Sequence, residues 1–265
     1  MKRLLVVPKR TSYTPEGAVD EPPGLFSEHY DRIDVSVVFT WDIERALWLR
    51  EAWRGYATRI WIGGPALDER GGNFVPGKFA REGITITSRG CPKRCPWCYV
   101  PKREGGIREL PIKPGRIVND NNLLACSRRH VEKVFRMLED QSRIDLRGGL
   151  DPRLLEDWHV AAIKELRTNE IFLAYDSAGM RKASLAAIEK FREAGFPRWK
   201  VRCYVMVGRK ETTEMAEERI RETYKAGSIP FVQLYDKLRG DKAWRKFARE
   251  WGRIPILKAK IDNPI

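Results

Sequence analysis

From Gly115 onward the apolar positions change their spacing in a regular order, a short β-branched run followed by a longer stretch with a helical stripe. Residues two apart share one face of a strand, whereas residues three and four apart share one face of a helix. The pattern predicts strands at Arg116–Asp120, Arg143–Gly148, Ile171–Asp176, Lys200–Val207 and Pro230–Asp236. Helices are expected near Ser127–Asp140, Pro152–Arg167, Lys182–Ala194, Thr213–Ala226 and Asp241–Trp251, the last with an apolar face of Trp244, Phe247, Ala248 and Trp251. Ile84-Thr85-Ile86-Thr87 reads as one more strand ahead of these, giving six β–α units. Such alternation predicts an α/β fold with parallel strands and helices outside them, here a partial (β/α)6 barrel. The tail Ile254–Leu257 reads as an extra strand or a covering segment.

Upstream the pattern is sparser. Leu4–Val7 is a short strand, and Ile33–Thr40 is a longer one with β-branched content. Asp42 is placed to cap a helix whose apolar face is Ile43, Ala46, Leu47 and Trp53. Thr58–Ile62 is the next strand, ended by Gly63-Gly64-Pro65. These elements predict a small βαβ domain over residues 1–80, followed by the barrel over residues 81–265. The remainder of residues 1–30, with its Thr14-Pro15-Glu16-Gly17 and Glu21-Pro22-Pro23-Gly24 turns, reads as an ordered arm over the site. Gly71-Gly72-Asn73 marks a connector, and the basic, turn-rich stretch Pro101–Pro114 reads as a mobile flap.

No apolar run is long enough to span a bilayer, so no membrane partner is expected. The Met1–Pro8 start has too short an apolar region for a secretory signal. Clustered, odd-numbered cysteines argue for a reducing, cytoplasmic setting. The net charge of +14 is unevenly placed: residues 1–80 carry 11 basic and 11 acidic side chains, the remainder 39 and 25. A basic excess confined to the second part points to an anionic partner such as a nucleic acid or a phosphorylated substrate; the plainer reading is a solvated basic surface.

Three of the five cysteines, Cys91, Cys95 and Cys98, fall within eight residues in the stretch Gly90-Cys91-Pro92-Lys93-Arg94-Cys95-Pro96-Trp97-Cys98. Thiolates are soft ligands for iron–sulfur clusters or zinc, and three of them complete neither a tetrahedral zinc site nor a fully ligated cubane. A zinc site would draw a fourth ligand from Cys126 or His130; a redox C-x-x-C at Cys95–Cys98 would leave Cys91 unused. His130 and His159 otherwise read as helical packing or surface residues, and Cys203 as core.

The C-x-x-x-C-x-x-C spacing, with the aromatic Trp97 before the last cysteine, resembles the signature of the radical S-adenosylmethionine (SAM) enzymes. That resemblance implies a 4Fe-4S cluster on Cys91, Cys95 and Cys98, with one iron left open to chelate SAM. It further implies reductive cleavage to a 5′-deoxyadenosyl radical that abstracts hydrogen from a substrate, and an electron donor such as flavodoxin or ferredoxin. The rival expectation is a zinc- or cluster-stabilised nucleic-acid-binding module without radical chemistry. Residues 31–65, with their Gly-Gly-Pro strand end, resemble the latter half of a cobalamin-binding domain. They lack its Asp-x-His-x-x-Gly motif, so no cobalamin is expected.

Alternation within the predicted strands sets Asp145, Arg147, Asp176, Arg202, Tyr204 and Gln233 toward the barrel interior. Two acids and two arginines there would pair with one another or hold a polar substrate. Arg147 and Tyr204 are candidate catalytic groups; Arg202 and Trp97 are candidates for the cofactor. By the resemblance, Asn119-Asp120-Asn121-Asn122 contacts the SAM amine, with Gly148-Gly149 as the alternative motif. Asp176-Ser177 contacts ribose or carboxylate, and Met206-Val207-Gly208 with the Glu211–Glu214 helix start lies near adenine.

Overall fold

The computed structural model describes residues 1–67 and 75–262, so the expected Gly71-Gly72-Asn73 connector lies outside the described residues. Strands β1 (Arg3–Val6), β2 (Tyr30–Ser36) and β3 (Ala57–Gly63) form a three-stranded parallel sheet in the order 1-2-3, with helix α1 (Ile43–Ala52) between the second and third. Its core joins Leu4, Val6, Ile33 and Val35 to Ala46, Leu49 and Trp53. Two local expectations fail here. Leu47 is 39 % exposed because Leu49 takes the core position. Asp42 occupies the N-cap without a side-chain hydrogen bond, because a 3-10 turn over Thr40–Asp42 already leads into the helix.

Strand β4 (Ile84–Thr85) opens the larger sheet. Strand β5 (Ser88–Arg89), helix α2 (Val100–Arg103) and strand β6 (Arg108–Glu109) then form an excursion in which β5 and β6 pair antiparallel. Strand β7 (Ile117–Val118), helix α3 (Arg128–Glu139), strand β8 (Ile144–Leu150), helix α4 (Asp157–Glu165), strand β9 (Thr168–Ala174) and helix α5 (Arg181–Glu193) continue the alternation. Strand β10 (Val201–Val207), helix α6 (Thr213–Ala226), strand β11 (Ile229–Leu234), and helices α7 (Lys242–Trp251) and α8 (Ile254–Asp262) complete it. The tail is therefore a helix, not a strand; Leu257 on it is 1 % exposed and joins Trp251 in the main core.

The six long-range strands lie side by side in strict chain order, β4-β7-β8-β9-β10-β11, and every pairing is parallel. Sequential order with crossover helices sends every crossover the same way, so the helices collect on one face. There Ile144, Leu146, Ile171, Leu173, Val201, Cys203, Val205 and Val207 pack with Val134, Ile163, Ile188 and Ile220 of α3 to α6 in one apolar cluster. That leaves the opposite face, and the carboxyl ends of the strands, for polar side chains.

Candidate functional site

The three cysteines sit on the loop that leaves β4, and the next strand anchors the root of this loop. Asp120, 4 % exposed, accepts hydrogen bonds from the Thr87 amide at 2.6 Å and from the Thr87 and Ser88 hydroxyls. Burial pushes its pKa up, against the opposing pull of those donors. Asn121 Oδ1 accepts from the Gly90 amide at 2.9 Å. Gly148 lets β8 approach this segment: a Cβ there would meet the Asp120 carbonyl oxygen at 2.1 Å. The two stretches expected as alternative amine motifs thus lie against each other. The Asp120 carboxylate is engaged in holding the root of the loop.

The Pro101–Pro114 stretch is tied to the same loop and is not a free flap. Gly90 has φ +85°, and a Cβ on it would meet the Gly106 carbonyl oxygen at 2.0 Å. Cys91 N–H donates to the Gly105 carbonyl at 3.1 Å, and Leu110 N–H to the Thr87 carbonyl at 2.8 Å. Arg89 and Glu104 form an ion pair with side chains 12 % and 11 % exposed. Backbone pairing between β5 and β6, invisible to a count of turn residues, accounts for the difference.

Polar groups from two neighbouring strand ends point at the sulfurs. Asn122 Nδ2 lies 3.3 Å from Cys91 Sγ and 3.3 Å from Asp151 Oδ2. Arg153 Nη2 lies 3.9 Å from Cys95 Sγ and 2.7 Å from Asp151 Oδ2. Arg153 and Asn122 hold the Asp151 carboxyl below the usual range despite its burial. Burial pushes the Cys98 thiol up, and the nearby Cys91, Cys95 and Asp176 add to that. Among the described residues, no group of three or more His, Cys, Asp or Glu side chains is arranged to hold a single metal ion. Cys126 is occupied elsewhere: burial, chiefly, lifts its pKa to about 11 against a hydrogen bond with Ser88. His130 Nδ1 faces Glu109 at 3.6 Å, and His159 Nδ1 accepts from the Glu156 amide at 2.9 Å as part of a capping box on α4.

Trp97 is brought to the end of β9. Burial raises the Asp176 pKa, and a hydrogen bond from Trp97 works against that. The Arg209 guanidinium lies 4.8 Å from the Trp97 ring centroid, linking the loop after β10 to the cysteine loop. Ser177 is half-buried and begins the 3-10 turn Ala178–Met180 without capping it through its hydroxyl. Glu211 is committed to structure: it accepts from the Gly208 amide at 2.8 Å and pairs with Arg219 at 2.7 Å. Arg219, 5 % exposed, also donates to the Tyr175 and Met206 carbonyls at 2.7 Å each, pinning the ends of β9 and β10 together.

Farther down the same face, the expected inward residues meet. Arg147 pairs with Asp145 at 3.2 Å and with Glu170 at 3.5 Å, and Arg202 pairs with Glu170 at 2.8 Å. Asn169 Nδ2 donates to Asp145 at 2.8 Å. The Tyr204 hydroxyl donates to the Arg147 carbonyl at 3.0 Å; its ring stacks on Phe172 at 4.8 Å and meets Phe231 edge-on at 5.4 Å. Burial lifts the Tyr204 pKa to about 12, so this hydroxyl keeps its proton. Tyr13 of the N-terminal arm lines a common pocket with Arg147, and the Tyr13 carbonyl accepts from the Arg81 amide at 2.9 Å. The arm thus lies over the inner face. Gln233 stands apart on β11, exposed and outside the ion-pair network. Sequence reasoning missed Glu170, Asn169, Tyr13 and Asp151–Arg153. Glu170 alone had a local signal, since it shares a strand face with Phe172.

Asn119 lines a cavity of about 560 Å³ between the arm and this face. Val7 and Ser36, at or just past the ends of β1 and β2, meet Tyr13, Ile84 and Ile86 there. The wall mixes these apolar side chains with the charged Lys9, Asp42, Lys78 and Arg89. No helix among the described residues is long and apolar enough to cross a membrane. No family model matches this chain, and no match to a curated protein was found.

Proposed function

We propose that this chain is a radical SAM enzyme in which Cys91, Cys95 and Cys98 hold a 4Fe-4S cluster. Its reaction is reductive cleavage of SAM to a 5′-deoxyadenosyl radical that takes a hydrogen atom from a substrate. The observation that carries the reading is a loop with three thiols at the carboxyl ends of sequentially ordered parallel strands, with N–H donors aimed at two of the sulfurs. Ligands in parallel α/β sheets collect at that end.

The donor set fits a cubane. A zinc ion needs all its ligands about 2.3 Å from one point for sulfur. The cysteines of a cubane bind different irons, so their sulfurs need not converge on one centre. When bound, such a cluster supplies single electrons and one iron open to the SAM amine and carboxylate. The protein's part is positional. Asn122 and Arg153 donate to the sulfurs and so ease the build-up of negative charge there. Asp176 and Trp97 frame the cofactor beside the loop. Arg147 and Arg202, held by Asp145 and Glu170, and Tyr204, bonded to the Arg147 carbonyl, form a polar floor, with Tyr13 of the arm beside it. The cavity beside Asn119 receives the substrate, and the fold is read as a partial (β/α)6 barrel behind a small N-terminal domain. A cytoplasmic setting and a flavodoxin- or ferredoxin-like donor belong to the same reading.

Anaerobic reconstitution tests it. A brown protein holding about four irons per chain, which releases 5′-deoxyadenosine from SAM after reduction, is expected. A colourless protein that holds zinc and yields no 5′-deoxyadenosine would overturn it in favour of a nucleic-acid-binding module.

A further inference from the structure

All-parallel sheets are nearly always covered on both faces, because their strands are joined by crossovers that lay helices on them. The three-stranded sheet departs from this. One face is packed by Ala46 and Leu49 of α1. The other presents two rows of side chains in register. Arg3, Arg32 and Arg59 stand opposite one another across β1, β2 and β3. Leu5, Asp34 and Trp61 form the next row. Arg3 and Arg59 are exposed, and Trp61 is 57 % exposed.

Like charges directly opposite on adjacent strands repel. Neighbouring strands are about 4.8 Å apart, so the three guanidinium stems start within roughly 10 Å. Within these two rows one carboxylate, Asp34, offsets them, and it is taken by Arg32 in a two-pronged contact at 2.6 and 3.0 Å. The Arg32 guanidinium also lies 5.4 Å from the Trp61 ring centroid. An open aromatic ring beside a cationic row offers both a π-surface and phosphate contacts, the pairing by which single strands are held without regard to sequence.

The geometry points to this face as a binding site for single-stranded nucleic acid, with Trp61 stacking a base, the exposed Arg3 and Arg59 meeting the backbone phosphates, and Arg32, held by Asp34, backing the Trp61 ring. The site is independent of the cysteine loop. Its location is not where total charge would place it, since residues 1–80 are neutral overall.

Fluorescence anisotropy with labelled dodecamers of uridine and of thymidine tests the inference on the full chain, iron-loaded or not, so its failure leaves the cluster reading untouched. Binding should weaken with salt, and Trp61→Ala should cost on the order of tenfold in affinity, the value of one stacked base. Arg3→Ala with Arg59→Ala should reduce the salt slope by about 1.4, two phosphate contacts at about 0.7 each. Arg3→Lys with Arg59→Lys should keep that slope. A preference between the two dodecamers would tell RNA from DNA. Unchanged affinity and slope in both alanine variants would overturn the inference. So would equally tight binding of a glutamate homopolymer, which would mark an acidic protein as the occupant.

Discussion

On the helix side of the six-stranded sheet, Ile144, Leu146, Ile171, Leu173, Val201 and Val205 are each at most 2 % exposed. On the other side the same strands present Asp145, Arg147, Glu170, Arg202 and Tyr204, every one engaged with a named polar or aromatic partner. One set is interchangeable in kind: any apolar side chain of matching volume serves. The other is specific, because a buried charge that loses its partner is costly. Stability therefore resides on the helix face, recognition under the proposed function belongs to the other, and substitutions should separate the two.

The largest effect belongs to the helix side. Leu173→Ala should destabilise the fold by about 2–5 kcal/mol, the cost of lost burial plus a residual cavity. Urea unfolding measures it, while the affinity of the folded fraction for SAM stays as in the wild type; a matching loss of affinity would break the division. Next comes the strand end on the other side. Asp176→Ala should leave the unfolding midpoint near that of the wild type and weaken SAM binding about tenfold, or ~1.4 kcal/mol. Isothermal titration of the reconstituted protein reads this, and unchanged affinity removes Asp176 from the site.

The smallest effect sharpens the comparison through pH. His159 on α4 is buried on the helix side, and desolvation holds its pKa below the ordinary 6.5. The unfolded chain therefore takes up a proton that the folded chain refuses. Stability is whole above that value and falls as pH drops through it toward the lower folded pKa, by at most about 1.4 kcal/mol per pH unit. His159→Gln keeps a side chain suited to the capping box and should flatten this slope in thermal melts between pH 7 and pH 5 (about two units). An unaltered slope would place the titrating group elsewhere.

The outer face was legible because alternation is local: Val201, Cys203, Val205 and Val207 follow one another at every second position and all are buried. The helices were legible for the same reason. The tail helix was not, since Ile254-Pro255-Ile256-Leu257 carries an apolar run that suits a strand equally well, and contact with Trp251 in the main core decides it. Nor were the fates of Asp120 and Asn121, whose partners Thr87 and Gly90 lie 33 and 31 residues away. Such bonds depend on which strand ends the topology makes neighbours, and periodicity carries nothing about that. Spacing announced the cysteine loop; the amide and the guanidinium facing its sulfurs come from other parts of the chain.

Gly90 carries no reactive atom, yet its missing side chain lets the cysteine loop seat against Gly106. Any larger residue would prise the thiol-bearing turn away from its support and skew all three sulfurs at once. In a saturation screen for activity, this position should prove as intolerant as the cysteines themselves, and alanine there should fail almost as badly as tryptophan.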